Sequence, residues 1–292
     1  MRISGIRLLT ATGGDPTNGG GNKAQEKKTK NTSLILAVCN VWKLLDRDVL
    51  ERPQRRTALK TNELARCKID IAALSETRLP GEGELQEKER REAGVGFAVK
   101  SSLAGKLVCP PKCMTDRLMT MILPLCCRQK YTTIVSAYAP TMTNRNETKN
   151  NFFEDLSSVI TAAPRADKLI VLGDFNARAG RDSVSWEGVI GKHGVGNSNS
   201  KGLLLLQICA EHGLLITNTI FNLPTSNRTS WMHPRSKHWY HIDYVIIRKR
   251  DRQDVRVTKT MCAGQTTDFL YPNSNLEFSP RDDHKLGKHQ NA

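Results

Sequence analysis

Five stretches of this chain put a carboxylate, an amide or a phenol at or near the end of an apolar run. Asn40 closes LILAVCN, Glu76 closes IDIAALSE and Tyr138 lies in TIVSAYAP. Asp174 and Asn176 close LIVLGDFN, and Asp243 stands near the start of HIDYVII. Taken singly, each reads as a cap or a turn, because Asp, Asn and Gly end strands everywhere. Carried together on strands that share one sheet edge, they suit phosphodiester hydrolysis. Glu76 is an oxygen ligand of the kind Mg²⁺ takes, with Mn²⁺ as the alternative ion, since Mg²⁺ often binds through one or two carboxylates plus water and phosphate. Asp174 is placed to deprotonate or orient a water. Asn176, Asn40 and Tyr138 can donate hydrogen bonds to developing charge.

Strands must carry these residues. Apolar, β-branched runs predict strands at 34–41, 69–76, 94–100, 117–125, 131–140, 168–174, 214–221 and 241–248. Helical spacing marks 53–67, 146–160 and 201–213, the last closed by Gly213. Many strands with few intervening helices favour two sheets packed face to face over a doubly wound parallel sheet. Residues 1–33, rich in Gly, Asn and Thr and ending in the basic KAQEKKTK, are expected to be a disordered leader. Residues 34–264 are expected to form the domain, and the polar 265–292 a divergent, disordered tail.

The chain has 292 residues and a net charge of +15, which favours a polyanionic partner, and the basic run RKRDR, Arg248 to Arg252, suits nucleic-acid contact or a solvated loop equally. No apolar run reaches the length of a membrane span, and no secretory leader is evident. These features point to a nuclear or cytoplasmic protein that binds nucleic acid, with DNA favoured and no evident protein partner. Of eight cysteines, Cys109 and Cys113 have a zinc-compatible spacing, but adjacent Cys126 and Cys127 do not form a usual second half. Reduced thiols are the expected state.

SETR around Glu76, SAYAP around Tyr138, LGDFNAR around Asp174 and IDYV around Asp243 resemble the endonuclease/exonuclease/phosphatase superfamily, which includes deoxyribonuclease I and the abasic-site endonucleases. The resemblance extends over roughly Leu34 to Cys262. It is more specific to the endonuclease domains of RTE-type non-LTR retrotransposons and to craniofacial development protein 2-like proteins. It implies a four-layer α/β sandwich, two mixed β-sheets face to face with helices outside, and Mg²⁺-dependent hydrolysis of nucleic-acid phosphodiesters. By matching motifs, it makes Glu76 the metal ligand, Asn40 the active-site Asn and Tyr138 a phosphate contact. Asp174 becomes the water-activating carboxylate, Asn176 the phosphate-orienting amide and Asp243 the late active-site Asp.

The resemblance breaks in three places. The first-strand motif, usually like TWNVR, is VCNVW here, and Trp42 supplies no oxygen ligand, so the metal would rest mainly on Glu76. Gln86 runs almost directly into KERREAGVGFA, which predicts a lost strand and an unpaired edge in the first sheet. The family's terminal Asp-His pair is replaced by GQTTDFLYP, in which Phe269 follows Asp268; the pair reappears as Asp-His-Arg-Leu if plausible codons are read in a shifted frame. Asp283-His284 lies further along than the family spacing, without a following apolar strand. Catalysis is therefore expected to be impaired. The alternative is a catalytically inactive nucleic-acid-binding protein, or a non-functional product of a retroelement.

Overall fold

The computed structural model describes residues 2–3, 6–10, 33–40, 62–77, 94–125, 131–233, 235–260 and 274–278. The described residues form fifteen strands. β1 (Arg2–Ile3), β2 (Ile6–Thr10), β3 (Leu34–Asn40), β4 (Ile71–Ser75) and β5 (Val95–Lys100) come first. β6 (Lys112–Thr115), β7 (Leu118–Pro124), β8 (Tyr131–Tyr138), β9 (Lys168–Asp174) and β10 (Leu214–Ile216) follow. β11 (Trp231–Met232), β12 (Trp239–Tyr240), β13 (Asp243–Arg248), β14 (Val255–Lys259) and β15 (Ser274–Phe278) complete the set. One sheet runs β1-β2-β5-β4-β3-β15-β14, a second β10-β13-β9-β8-β7-β6, and β11 pairs with β12 in a separate hairpin.

Period-two alternation divides the layers. Leu36 and Val38 of β3, Ile71 and Ala73 of β4, and Ile170 and Leu172 of β9 all point into the core between the sheets. Their neighbours Ala37, Cys39, Ala72 and Leu74 face out, onto Leu64 of the helical stretch 62–66. Leu169 and Val171 face out of the second sheet, onto Phe152, Phe153 and Leu156 of the Asn146–Ala162 helix and Leu205 and Cys209 of the Ser200–Glu211 helix. Two sheets face to face with helices outside is the architecture expected from the sequence.

Both expected disordered segments contribute strands to the first sheet, two from the leader and one from the tail. Within the leader, β2 pairs antiparallel with β5 over Ile6–Thr10. The β5 edge expected to lie bare is thereby covered, because five backbone residues can satisfy an edge that no neighbouring strand supplies. Within the tail, β15 lies between β3 and β14, antiparallel to both. Its Phe278 is fully buried in the core between the sheets. A single buried phenyl group and a ladder on each side hold a segment whose composition alone reads as polar.

Two further expectations change. The run LLITNTIF stops as a strand at Ile216 and turns through a 3-10 segment, Thr217–Thr219. There Thr217 Oγ1 donates to Val245 O (3.0 Å) and Asn218 Oδ1 accepts from Val245 N (2.7 Å). Side chains thus take over the hydrogen bonds of the ladder. The basic run RKRDR, read as nucleic-acid contact or solvated loop, is a brace. Asp251 and Asp254 hold the buried Lys168 ammonium, while Arg248 and Arg250 donate to Ala163 O and Asp167 O. It lies at the opposite end of β9 from Asp174.

Candidate active site

The two sheets bring the five sequence stretches to one rim. β3 and β4 run parallel, with Asn40 opposite Ser75, so Glu76 emerges directly beside Asn40. Glu76 adopts φ 58°, a left-handed conformation unusual for a non-glycine residue. That turn ends the strand and swings the carboxylate towards the second sheet. Asn40 Nδ2 donates to Glu76 Oε1 at 2.8 Å, and Tyr138 Oη donates to the same oxygen at 3.3 Å. Asn40 therefore holds Glu76 in place, with the second hydrogen of its amide left over from that bond.

β8, β9 and β13 supply the second half. Tyr138 is the register partner of Asp174 on one side, and Asp243 is its partner on the other. Gly173 makes this crowding feasible, since a Cβ there would fall 2.0 Å from Ala137 O. Asp174 and Asp243 are both buried. Burial first, and the Asp243 charge second, push the Asp174 carboxyl well above the usual carboxylate range. Burial and the Glu76 charge likewise push the Tyr138 phenol up, so Tyr138 acts as a proton donor in hydrogen bonds. Asn176, at φ 46°, closes a tight turn in which its N–H donates to Asp174 Oδ1 (2.9 Å). Its Nδ2 donates to Ala139 O (3.0 Å), which leaves one amide hydrogen for a ligand.

A hard cation fits the Glu76 corner. Asn40 Oδ1 is buried and accepts no hydrogen bond among the described residues, and it belongs to the side chain that contacts the Glu76 carboxylate. Two protein oxygens with room for water and phosphate is the ligation Mg²⁺ prefers. Among the described residues no cluster of three or more His, Cys, Asp or Glu is placed to chelate a metal. Cys109 and Cys113 are exposed free thiols. Trp42, Gln86, Asp268, Asp283 and His284 lie outside the described residues.

The structure adds residues that the sequence reading passed over. Lys201, in the first turn of the Ser200–Glu211 helix, is 1% exposed and donates to Pro140 O at 2.6 Å. Its signal was a lone lysine beside an unbroken apolar helix face. Arg117 donates to Tyr138 O (3.5 Å) with its guanidinium over the Tyr138 ring. The β11–β12 hairpin exposes Trp231, Met232 and Trp239. Trp231 stacks on Tyr240, and the Arg178 guanidinium lies over the same Tyr240 ring, 4.9 Å from its centroid. The hairpin is tied to the rim: Ser230 Oγ accepts from Ile242 N and Asp243 N, and Phe175 N donates to Ile242 O.

No protein-family model matches the chain. Over 209 residues it is 30% identical to craniofacial development protein 2 of Bos taurus and to that of Tragulus javanicus, a match covering 68% of this chain. The chain spans about a third of the length of these curated relatives, 34% and 35%. Among solved structures it is similar to the endonuclease domain of TRAS1, a telomere-specific non-LTR retrotransposon. That match has a TM-score of 0.54 and 16% identity, over 85% of this chain and 98% of the other. It is also similar to the AP endonuclease of Leishmania major (TM-score 0.57, 14% identity, 85% and 88%). The 3'-5' exonuclease of Neisseria meningitidis matches with TM-score 0.54 and 16% identity, over 84% and 100%.

Proposed function

Since the chain has the endonuclease/exonuclease/phosphatase fold, we propose that it is built for divalent-metal-dependent hydrolysis of phosphodiester bonds in nucleic acid, with DNA as the favoured substrate and Mg²⁺ as the favoured ion. The observation that carries this reading is the convergence of Glu76, Asn40 and Tyr138 on one side of the rim and the Asp174–Asp243 pair on the other. Solved structures with a similar fold are named for endonuclease and exonuclease action, which supports this reading.

Bound at Glu76 and Asn40 Oδ1, the cation would supply charge to polarise the phosphoryl oxygen and stabilise the leaving group. Asp174 takes the proton of the attacking water; its raised pKa brings its basicity closer to that of a working general base. The Asn176 N–H holds the Asp174 carboxylate in register for that transfer. Tyr138 Oη and the remaining Asn176 amide hydrogen donate to the phosphate oxygens as charge grows on them. Asp243 keeps Asp174 basic by repulsion. The rate is attenuated by the replaced terminal Asp-His pair. Loss of one positioned donor costs roughly 10²–10³ in rate, by analogy with oxyanion-site deletions.

Nicking of supercoiled plasmid by purified protein tests this reading. Slow nicking that needs Mg²⁺, stops with chelator and is lost in Asp174→Asn and Glu76→Ala is expected. Activity surviving both changes would sink it. Grafting an Asp-His-Arg-Leu terminus after Gly264 should accelerate nicking, and His→Ala in the graft should remove the gain. The second reading, a binding protein without catalysis, is favoured by the exposed Trp231 and Trp239 and the charge of +15. It is selected if salt-sensitive binding persists while no form of the protein nicks. A nuclear or cytoplasmic location belongs to either reading; no helix among the described residues is long and apolar enough to cross a membrane.

A further inference from the structure

Asp116 and Arg117 form the turn between β6, which ends at Thr115, and β7, which begins at Leu118. The turn is tight: Thr115 is the register partner of Leu118, and Thr115 Oγ1 accepts from Arg117 N (3.2 Å). Its two side chains part company. That of Asp116 is 71% exposed, and that of Arg117 only 14%. The turn also abuts the last residue of β8, since Leu118 is the register partner of Ala137 and Tyr138 N donates to Arg117 O (3.0 Å). The Arg117 side chain then folds back over Tyr138. Nη1 donates a long hydrogen bond to Tyr138 O (3.5 Å), and Cζ stands 5.4 Å from the centre of the Tyr138 ring.

These contacts continue across the rim from the second sheet to the first. The hydroxyl of the same ring donates to Glu76 Oε1 (3.3 Å), the oxygen that Asn40 also holds. A phenol hydroxyl is displaced when its ring swings about the Cα–Cβ bond, and a planar group against the ring face opposes that swing. An apolar side chain could fill the same space without taking a charge out of water. The ion-pair partner of Arg117 returns little of that cost, because Asp116 is solvated and 3.9 Å away. The ring uses the charge instead. A desolvated cation is attracted to an aromatic face, and the planar fork of a guanidinium reaches a carbonyl from the same position. We propose that Arg117 is a positioning residue, which clamps the Tyr138 ring and so keeps its hydroxyl on Glu76. The effect on rate rests on the hydrolase reading; the clamp itself does not.

Carbon NMR of protein carrying ring-labelled tyrosine, in chelator and without nucleic acid, tests the clamp. Tyr138→Phe identifies the Tyr138 signals, and exchange between the two Cε signals gives the rate at which the ring flips. Arg117→Met keeps the bulk without the charge, and Arg117→Gln keeps a donor without the charge. Both should speed the flip about tenfold, the loss expected for one cation–ring contact, while Arg117→Lys should hold it close to the natural rate. Conversely, the Arg117 side-chain N–H protons, shielded above the ring, should move downfield in Tyr138→Leu, which does not depend on an Arg117 substitution folding. Unchanged flipping in folded Arg117→Met and Arg117→Gln, or unmoved Arg117 signals in Tyr138→Leu, overturns the proposal. In plasmid nicking, Arg117→Gln should lower kcat about tenfold with KM nearly unchanged, as expected when a group used in the transition state is misplaced. A raised KM at the natural kcat would make Arg117 a substrate contact instead, and would also overturn it. If the ring and Arg117 signals respond as expected while no form of the protein nicks, the hydrolase reading fails and the clamp stands.

Discussion

Asp174 is held where its charge is expensive. Burial and Asp243 raise its pKa in the folded protein above its ordinary value of 3.8. Such a group contributes stability below its unfolded pKa and loses it as pH rises through the folded pKa. At neutral pH the fold therefore carries a penalty that Asp174→Asn removes. The substitution should raise the melting temperature, by about 0.5–2 kcal/mol of stability, while abolishing nicking. The gain should vanish below about pH 4, where both side chains are neutral. Equal melting temperatures at pH 7 would contradict the charge assignment. His241 has the opposite sign. Burial lowers its pKa from 6.5 to about 4, and Nε2 has no hydrogen-bond partner among the described residues. Its neutral form stabilises the fold above pH 6.5, and the contribution is lost as pH falls towards 4. The loss amounts to at most ~3 kcal/mol across that window. Urea titrations at pH 7 and 4.5 should show a smaller acid loss in His241→Leu than in the natural chain.

Among the elements, β2 and β15 matter most. β2 covers the β5 edge along Ile6–Thr10. A chain lacking residues 1–10 should expose that edge and associate in a concentration-dependent way, as sedimentation would detect. A monomer of unchanged stability would mean that β2 contributes nothing to the sheet. β15 bridges β3 and β14, and Phe278→Ala should cost about 3–5 kcal/mol, the range for deleting a large core side chain. β9 works at both ends. Lys168 is fixed by Asp251 and Asp254 at one end, and Asp174 is presented at the other. Charge changes in RKRDR should thus be felt in the melting temperature before they are felt in nucleic-acid affinity.

At the scale of the whole molecule, the charge of +15 and the aromatic hairpin act in different ways. Counterion release makes affinity fall steeply with salt. Stacking on Trp239 or Trp231 contributes ~1–3 kcal/mol per base and is largely indifferent to salt. Trp239→Ala, at a side chain 54% exposed and so of modest folding cost, should lower affinity for oligonucleotides about tenfold while leaving the salt slope unchanged. A flat salt response in the natural chain would remove the nucleic-acid readings altogether.

Eight of the strands, and the polar residues at their ends, were legible in the amino-acid order alone. Period-two alternation is a local property, so LIVLGDFN carries both its two buried faces and the residues that follow them. Asn40, Glu76, Tyr138, Asp174, Asn176 and Asp243 were legible for that reason, as was the sandwich that needs two apolar faces on each strand. Only the tertiary structure decided what pairs with what. IRLLT and SNLEF have no distinguishing composition; they become strands because β5 and β3 present unpaired backbone groups far away in sequence. Lys201 stands at the start of an apolar helical run, and only the docking of Asn199 and Gly202 on Arg178 turned it towards the Pro140 turn. RKRDR suited phosphate contact and a solvated loop equally until Lys168, about eighty residues earlier, gave Asp251 and the following Asp254 a buried partner. Burial and charge neighbourhood depend on contacts between distant segments, and those contacts set whether a side chain braces the fold or serves the rim.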